Sequence, residues 1–152
     1  MLNKKSDLPR GSKKLIRAWT FYDWANSVYS LVISSAIFPI YYSTHVFSDI
    51  NSILIFNIDI NKDTLISLLS GLCFLIIAFL SPMLSGIADY IGNKKIFMKF
   101  FVYMGSFSCM SLYWFELENI EISLLLYFFS LLGFWGSLVY YNSYLNDITF
   151  PK

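Results

Sequence analysis

Histidine, cysteine and charge are all scarce in this chain: its 152 residues include one histidine and two cysteines, and only 14% of positions are charged. His45 with Cys73 and Cys109 cannot assemble a Cys/His metal cluster, and there is neither a glycine-rich phosphate loop nor a Ser/His/Asp set for nucleophilic catalysis. No cofactor and no enzyme activity are expected. An ordinary soluble domain carries about 25% charged residues, so the shortage of charge also excludes a nucleic-acid-binding module, a coiled coil and a disordered segment. Hydrophobic residues fill the gap, at 57% of the chain, with 20% aromatic.

The apolar residues come in blocks too long for a soluble core. A helix needs about 20 predominantly apolar residues to cross a bilayer, and four stretches meet that length: 18–44, 65–88, 96–115 and 122–145. They predict an all-α polytopic membrane bundle of four transmembrane helices, preceded by a basic leader, 1–17, and followed by a short tail, 146–152. None of the blocks shows the alternation of a membrane barrel strand. Pro39 and Pro82 lie inside spans, where neighbouring helices can re-satisfy freed carbonyls, so bends are expected there and not breaks. Cys73 and Cys109 fall mid-span and read as small packing residues. The apolar segment 47–63 is too short to span and reads either as an interfacial helix or as a short hairpin.

Four spans place both termini and the loop between spans two and three on one side. That side collects ten of the eleven Lys and Arg residues, leaving only Lys62 opposite, a strong positive-inside asymmetry. Both termini are therefore expected in the cytoplasm, with the chain integral to a membrane, as in a bacterial inner membrane. A cleavable secretory signal is disfavoured because the first apolar run contains Asp23 and is longer than an h-region.

Span one carries the best candidate chemistry. On a wheel of about 100° per residue, Ser27, Ser30, Ser34 and Tyr41 fall within roughly 40° of Asp23, with Asn26 beside them. A carboxylate among hydroxyls cannot favourably face lipid, so this stripe should face a bundle interior or a water-filled cavity, a candidate path for a substrate or coupling ion. Taken singly, the serines can equally allow close helix contact, and Asp23 can favour the positive end of a helix dipole. In span two, Ser67, Gly71, Ala78, Ser81 and Ser85 recur on one face and read as a close packing surface. Span four pairs Gly133, Gly136 and Ser137 with Tyr140 and Tyr144, a close contact opening into a polar aromatic end. With Tyr141 and Asn142, those tyrosines either line a cavity mouth or belong to the interfacial belt.

The loop after span two reads Ser85-Gly86-Ile87-Ala88-Asp89-Tyr90-Ile91-Gly92-Asn93-Lys94-Lys95. Gly92 permits a tight turn, and the lysines mark the basic side. This pattern resembles the signature loop of the major facilitator superfamily, with Ala88, Asp89, Gly92 and Lys94 agreeing, Ser85 in place of Gly and Ile87 in place of Leu. Tyr90 and Asn93 stand where that signature has arginines. Tyr22-Asp23-Trp24-Ala25-Asn26 is similar to the start of helix one in the UMF-type branch, related to the fungal vacuolar amino-acid effluxers. Gly133-Phe134-Trp135-Gly136-Ser137 and Tyr141-Asn142-Ser143-Tyr144-Leu145 resemble the same branch.

The resemblance implies a secondary active transporter of twelve helices that moves a small solute by alternating access, often driven by a proton or other ion gradient. It makes Asp23 a plausible coupling or substrate contact and gives Ser85, Asp89, Gly92 and Lys94 a place in a gating loop. With four spans, the chain is expected to be an N-terminal portion, inactive alone, whose partners are the bilayer, a small solute and the remaining helices of a split transporter. A second reading stands beside it: a small membrane protein that does not transport and acts by docking its small-residue faces on a helical partner.

Overall fold

Lipid offers the backbone no hydrogen bonds, so each long apolar block must satisfy its own carbonyls by coiling into a helix. The computed structural model describes residues 11–46, 52–55, 58–115 and 117–148. Its first rod is composite: helix α1 (Lys13–Val28), a π-helical stretch (Tyr29–Ile37), helix α2 (Phe38–Tyr41) and a second π stretch (Tyr42–Val46). The backbone stays right-handed at each junction, with φ/ψ of −62°/−50° at Tyr29 and −64°/−48° at Phe38. The sequence predicts an unbroken α span over 18–44; the structure keeps the rod but widens its turns.

The cause lies in the hydroxyls and the proline. Ser27 Oγ donates to the Asp23 carbonyl at 2.8 Å and Ser35 Oγ to the Ser30 carbonyl at 2.6 Å, and such back-bonding loosens a helix. Pro39 has no N–H to offer the Ser35 carbonyl four residues back. The register slips, and the Phe38 N–H bonds the Ile33 carbonyl, five residues back, which is the π pattern.

Strands β1 (Ser52–Ile55) and β2 (Ile58–Asn61) then form an antiparallel hairpin in which Ser52 pairs with Asn61 and Ile55 with Ile58. Of the two sequence alternatives for 47–63, the pairing of 52–55 with 58–61 therefore supports the hairpin, while 47–51 and 56–57 lie outside the described residues. Asn61 Oδ1 accepts from the Asp63 N–H at 2.9 Å, capping the helix that follows.

Three uninterrupted helices complete the bundle: α3 (Lys62–Ile91), α4 (Lys94–Ser111) and α5 (Ile120–Ser143), with a short helix α6 (Leu145–Ile148) at the end. The apolar spans are 27 residues (Lys62–Ala88), 21 (Lys94–Trp114, which runs past α4 through a 3₁₀ turn, Leu112–Trp114) and 24 (Ile120–Ser143), or about 40, 32 and 36 Å at 1.5 Å per residue. Each is long and apolar enough to cross a membrane. α3 continues through Pro82 without a break.

α5 is the centre of the bundle. It is the most buried of the three spans, and its buried residues, from Leu124 and Tyr127 to Ser137 and Tyr141, point in several directions, as expected of a helix surrounded by others. At one end Phe38 stacks on Tyr127 with ring centroids 3.9 Å apart, within a cluster that includes Tyr42, Leu65, Cys73, Phe115 and Leu131. At the other, Ala88, Phe101 and Tyr140 pack together. The tightest crossing joins α4 to α5. A Cβ built on Gly105 would lie 3.2 Å from Gly133 Cα, and one on Gly136 would collide with the Phe101 ring. The small-residue face of α3 expected to pack closely behaves otherwise, because Ser67, Gly71 and Ala78 are exposed and a Cβ built on Gly71 would meet nothing within 4 Å.

Candidate functional site

Asp23 sits in the third turn of α1, with its side chain exposed. Asp23, Asn26, Ser27 and Ser30 form one wall of a groove of about 230 Å³, and Phe134, Trp135 and Leu138 of α5 form the other. Four of the six residues on the predicted stripe therefore share one small cleft. Ser34 is not among its lining. A π turn advances fewer degrees per residue than an α turn, so the wheel drawn from Asp23 fails beyond Tyr29. The structure instead brings Ser34 within reach of the Tyr127 hydroxyl, while Tyr41 donates to the Phe115 carbonyl at 3.2 Å.

An aromatic clamp fixes α1 on the end of α5. Trp19 stacks on Tyr141 at 4.6 Å with planes 10° apart, and its Nε1 donates to the Tyr141 carbonyl at 3.3 Å. Tyr22 also stacks on Tyr141, at 5.1 Å. Tyr141 is 4% exposed; its hydroxyl lies beside the Asp23 carboxylate, and it has no hydrogen bond of full geometry among the described residues. Of Tyr140, Tyr141, Asn142 and Tyr144, which the sequence offers as a cavity mouth at this end of the helix, Tyr141 is the one beside Asp23. Tyr140 lies elsewhere, stacked on Phe97 at 5.7 Å and Phe101 at 6.0 Å. Tyr144 is half-buried just past the end of α5, its N–H within 3.2 Å of the Tyr140 and Tyr141 carbonyls.

Midway along the rods, Ser130 Oγ donates to the Tyr29 hydroxyl at 2.7 Å, and Tyr29 leans on Phe134 at 4.8 Å. This pair joins the first rod to α5 and is not anticipated from the sequence. The only trace of it is the seven-residue interval from Ser130 to Ser137, two helical turns on one face.

In the loop after α3, Gly92 adopts a left-handed φ of 69° and donates its N–H to the Ala88 carbonyl at 3.0 Å. Lys94 opens α4, and Ser85 is half-buried on α3. Asp89 belongs to α3, but its side chain lies outside the described residues. No group of three potential metal ligands occurs among the described residues.

The chain is thus a bundle of apolar helices whose first rod lines a cleft with a carboxylate and hydroxyls. A family model described as "Vacuole effluxer Atg22 like" matches residues 11–149, and the chain belongs to that family. It is also similar to the uncharacterized MFS-type transporter YxiO of Bacillus subtilis (strain 168), with 36% identity over 136 residues. That alignment covers 89% of this chain and 30% of the relative, so the chain spans less than a third of the relative's length. No solved structure matches.

Proposed function

We propose that this chain contributes the first helices of a secondary active transporter, which carries a small solute across the membrane by alternating access. The observation that carries this reading is the cleft between the first rod and α5, where Asp23, Asn26, Ser27 and Ser30 face Phe134 and Trp135. An ionisable residue within a span that faces a cavity is by default a functional group. Asp23 is assigned as the substrate or coupling-ion contact, with Tyr141 as its neighbour, and proton coupling is the form a single carboxylate best suits. Ser85, Asp89, Gly92 and Lys94 are assigned to a gating loop, because Gly92 creates a sharp corner where α3 and α4 must move together. Both termini are placed in the cytoplasm of a cell whose inner membrane holds the protein. The remaining helices come from the rest of a transporter of the relative's length.

The test is Asp23→Asn in a transporter completed to that length. Vesicles are energised with a pH gradient and offered a panel of small solutes, amino acids included, while solute-induced proton movement is followed with an interior pH dye. The substitution should lower the rate at least tenfold and flatten its pH dependence. An unchanged rate and pH profile would reduce Asp23 to a structural role.

A further inference from the structure

The two walls of the cleft between the first rod and α5 differ in what they offer a ligand. On the first rod, Ser27 already donates its hydroxyl proton to the Asp23 carbonyl at 2.8 Å, and Ser30 donates its own to the Ser27 carbonyl at 3.2 Å. A serine hydroxyl has one proton and two lone pairs, so what these side chains still present is lone pairs. The ionised carboxylate of Asp23, which lines the cleft with them, is likewise an acceptor and not a donor. Asn26 adds a side-chain amide, with an oxygen as well as N–H groups.

Charge in the cleft is unbalanced too. Its lining contains Asp23 and no lysine, arginine or histidine. The nearest basic residue along α1 is Arg17, about 9 Å away along the axis and about 120° round it. The Tyr141 hydroxyl beside the carboxylate is a neutral donor and leaves the charge in place. A carboxylate within a membrane span is costly unless a partner meets it. On the opposite wall stand the rings of Phe134 and Trp135, with Trp135 braced by Phe74 at 5.0 Å and by Phe134 at 5.2 Å. The faces of such rings attract cations, that of Trp most strongly. At about 230 Å³ the cleft falls below the roughly 300–1,000 Å³ of pockets for drug-sized ligands, so it suits a headgroup with a short chain or a single ring.

We propose, building on the reading of this cleft as a solute site, that the solute is a small protonated amine without a carboxylate. Its N–H groups donate to the Asp23 carboxylate and to the Ser27 and Ser30 oxygens, while its positive charge lies against Trp135 and Phe134. A carboxylate on the same solute meets no cation in the cleft, which disfavours anions and zwitterions, free amino acids included.

The test is binding of tritiated phenethylamine to the 152-residue chain in phosphatidylcholine nanodiscs, read as the displaceable fraction. Hydrocinnamate and phenylalanine keep the ring and change the charge, and each should compete at least tenfold more weakly than unlabelled phenethylamine. Asp23→Asn should lower affinity at least tenfold and Trp135→Leu at least threefold. Asp23→Glu should retain binding, which separates loss of the charge from loss of the fold. The proposal is overturned by an absence of displaceable binding in the unsubstituted chain, by equal competition from the anion or the zwitterion, or by Asp23→Asn binding as tightly as the unsubstituted chain. Transport by the completed transporter is a separate readout: amine binding without transport sinks the transporter reading and leaves the amine site standing, whereas Asp23-dependent transport of zwitterions, with no amine binding, does the reverse.

Discussion

At Gly133, a methyl group would fall on the Gly105 backbone and within 2.7 Å of the Phe101 carbonyl oxygen. Backbone cannot move aside as a flexible side chain can, so Gly133→Val should force α4 away from α5. Overpacking of this kind costs about 1–3 kcal/mol, to be read as a lower melting temperature in detergent. Gly71 is the matched control: nothing lies within 4 Å of it, and Gly71→Ala should be neutral or stabilise by up to about 1 kcal/mol through helix propensity. Equal losses from the two substitutions would show that the crossing is not the tight point of the bundle. The sequence marks both glycines as packing residues. It cannot say which one meets a partner, because that depends on which neighbour lies opposite, and α3 turns Gly71 outward.

The first rod shows why some elements are legible and others are not. Length and hydropathy fix the existence of each span, because every carbonyl in lipid needs a local donor. They do not fix its register. The π stretch Tyr29–Ile37 arises where Pro39 withholds an N–H and serine hydroxyls engage carbonyls, and it swings Ser34 out of the line through Asp23. Pro39→Ala should restore that donor. The amide at position 39 should then become protected in hydrogen exchange, and the stack of Phe38 on Tyr127 should break as the residues beyond position 35 rotate. An exchange pattern unchanged outside position 39 would place the origin of the π turns elsewhere. On α5 the difficulty is of another kind. This helix is apolar on every side, so its sequence carries no amphipathic signal to distinguish the face of Tyr141 from that of Tyr140, one residue and about 100° away.

For the whole molecule, the Gly11 N–H donates to the Ile148 carbonyl at 2.8 Å, which brings the start of the first rod and the end of the bundle to the same side. The proposed orientation, which rests on the asymmetry of ten Lys and Arg against one in the sequence, makes that side the cytoplasmic one. Asp59→Cys on the hairpin should then react with an impermeant maleimide in intact cells, and Lys95→Cys only after lysis; the reverse pattern would invert the orientation. The long reach of the contacts made by the first rod also bears on how the protein is born. Tyr29 meets Ser130 across 101 residues and Trp19 meets Tyr141 across 122. With a ribosome adding about 5–20 residues per second, the first rod waits roughly 5–20 s for its partner helix, with Asp23 and Asn26 uncovered in the meantime. Its retention beside the insertion machinery until α5 emerges, before it is released into bulk lipid, follows from that delay, and the half-made chain is the stage most open to quality-control proteolysis.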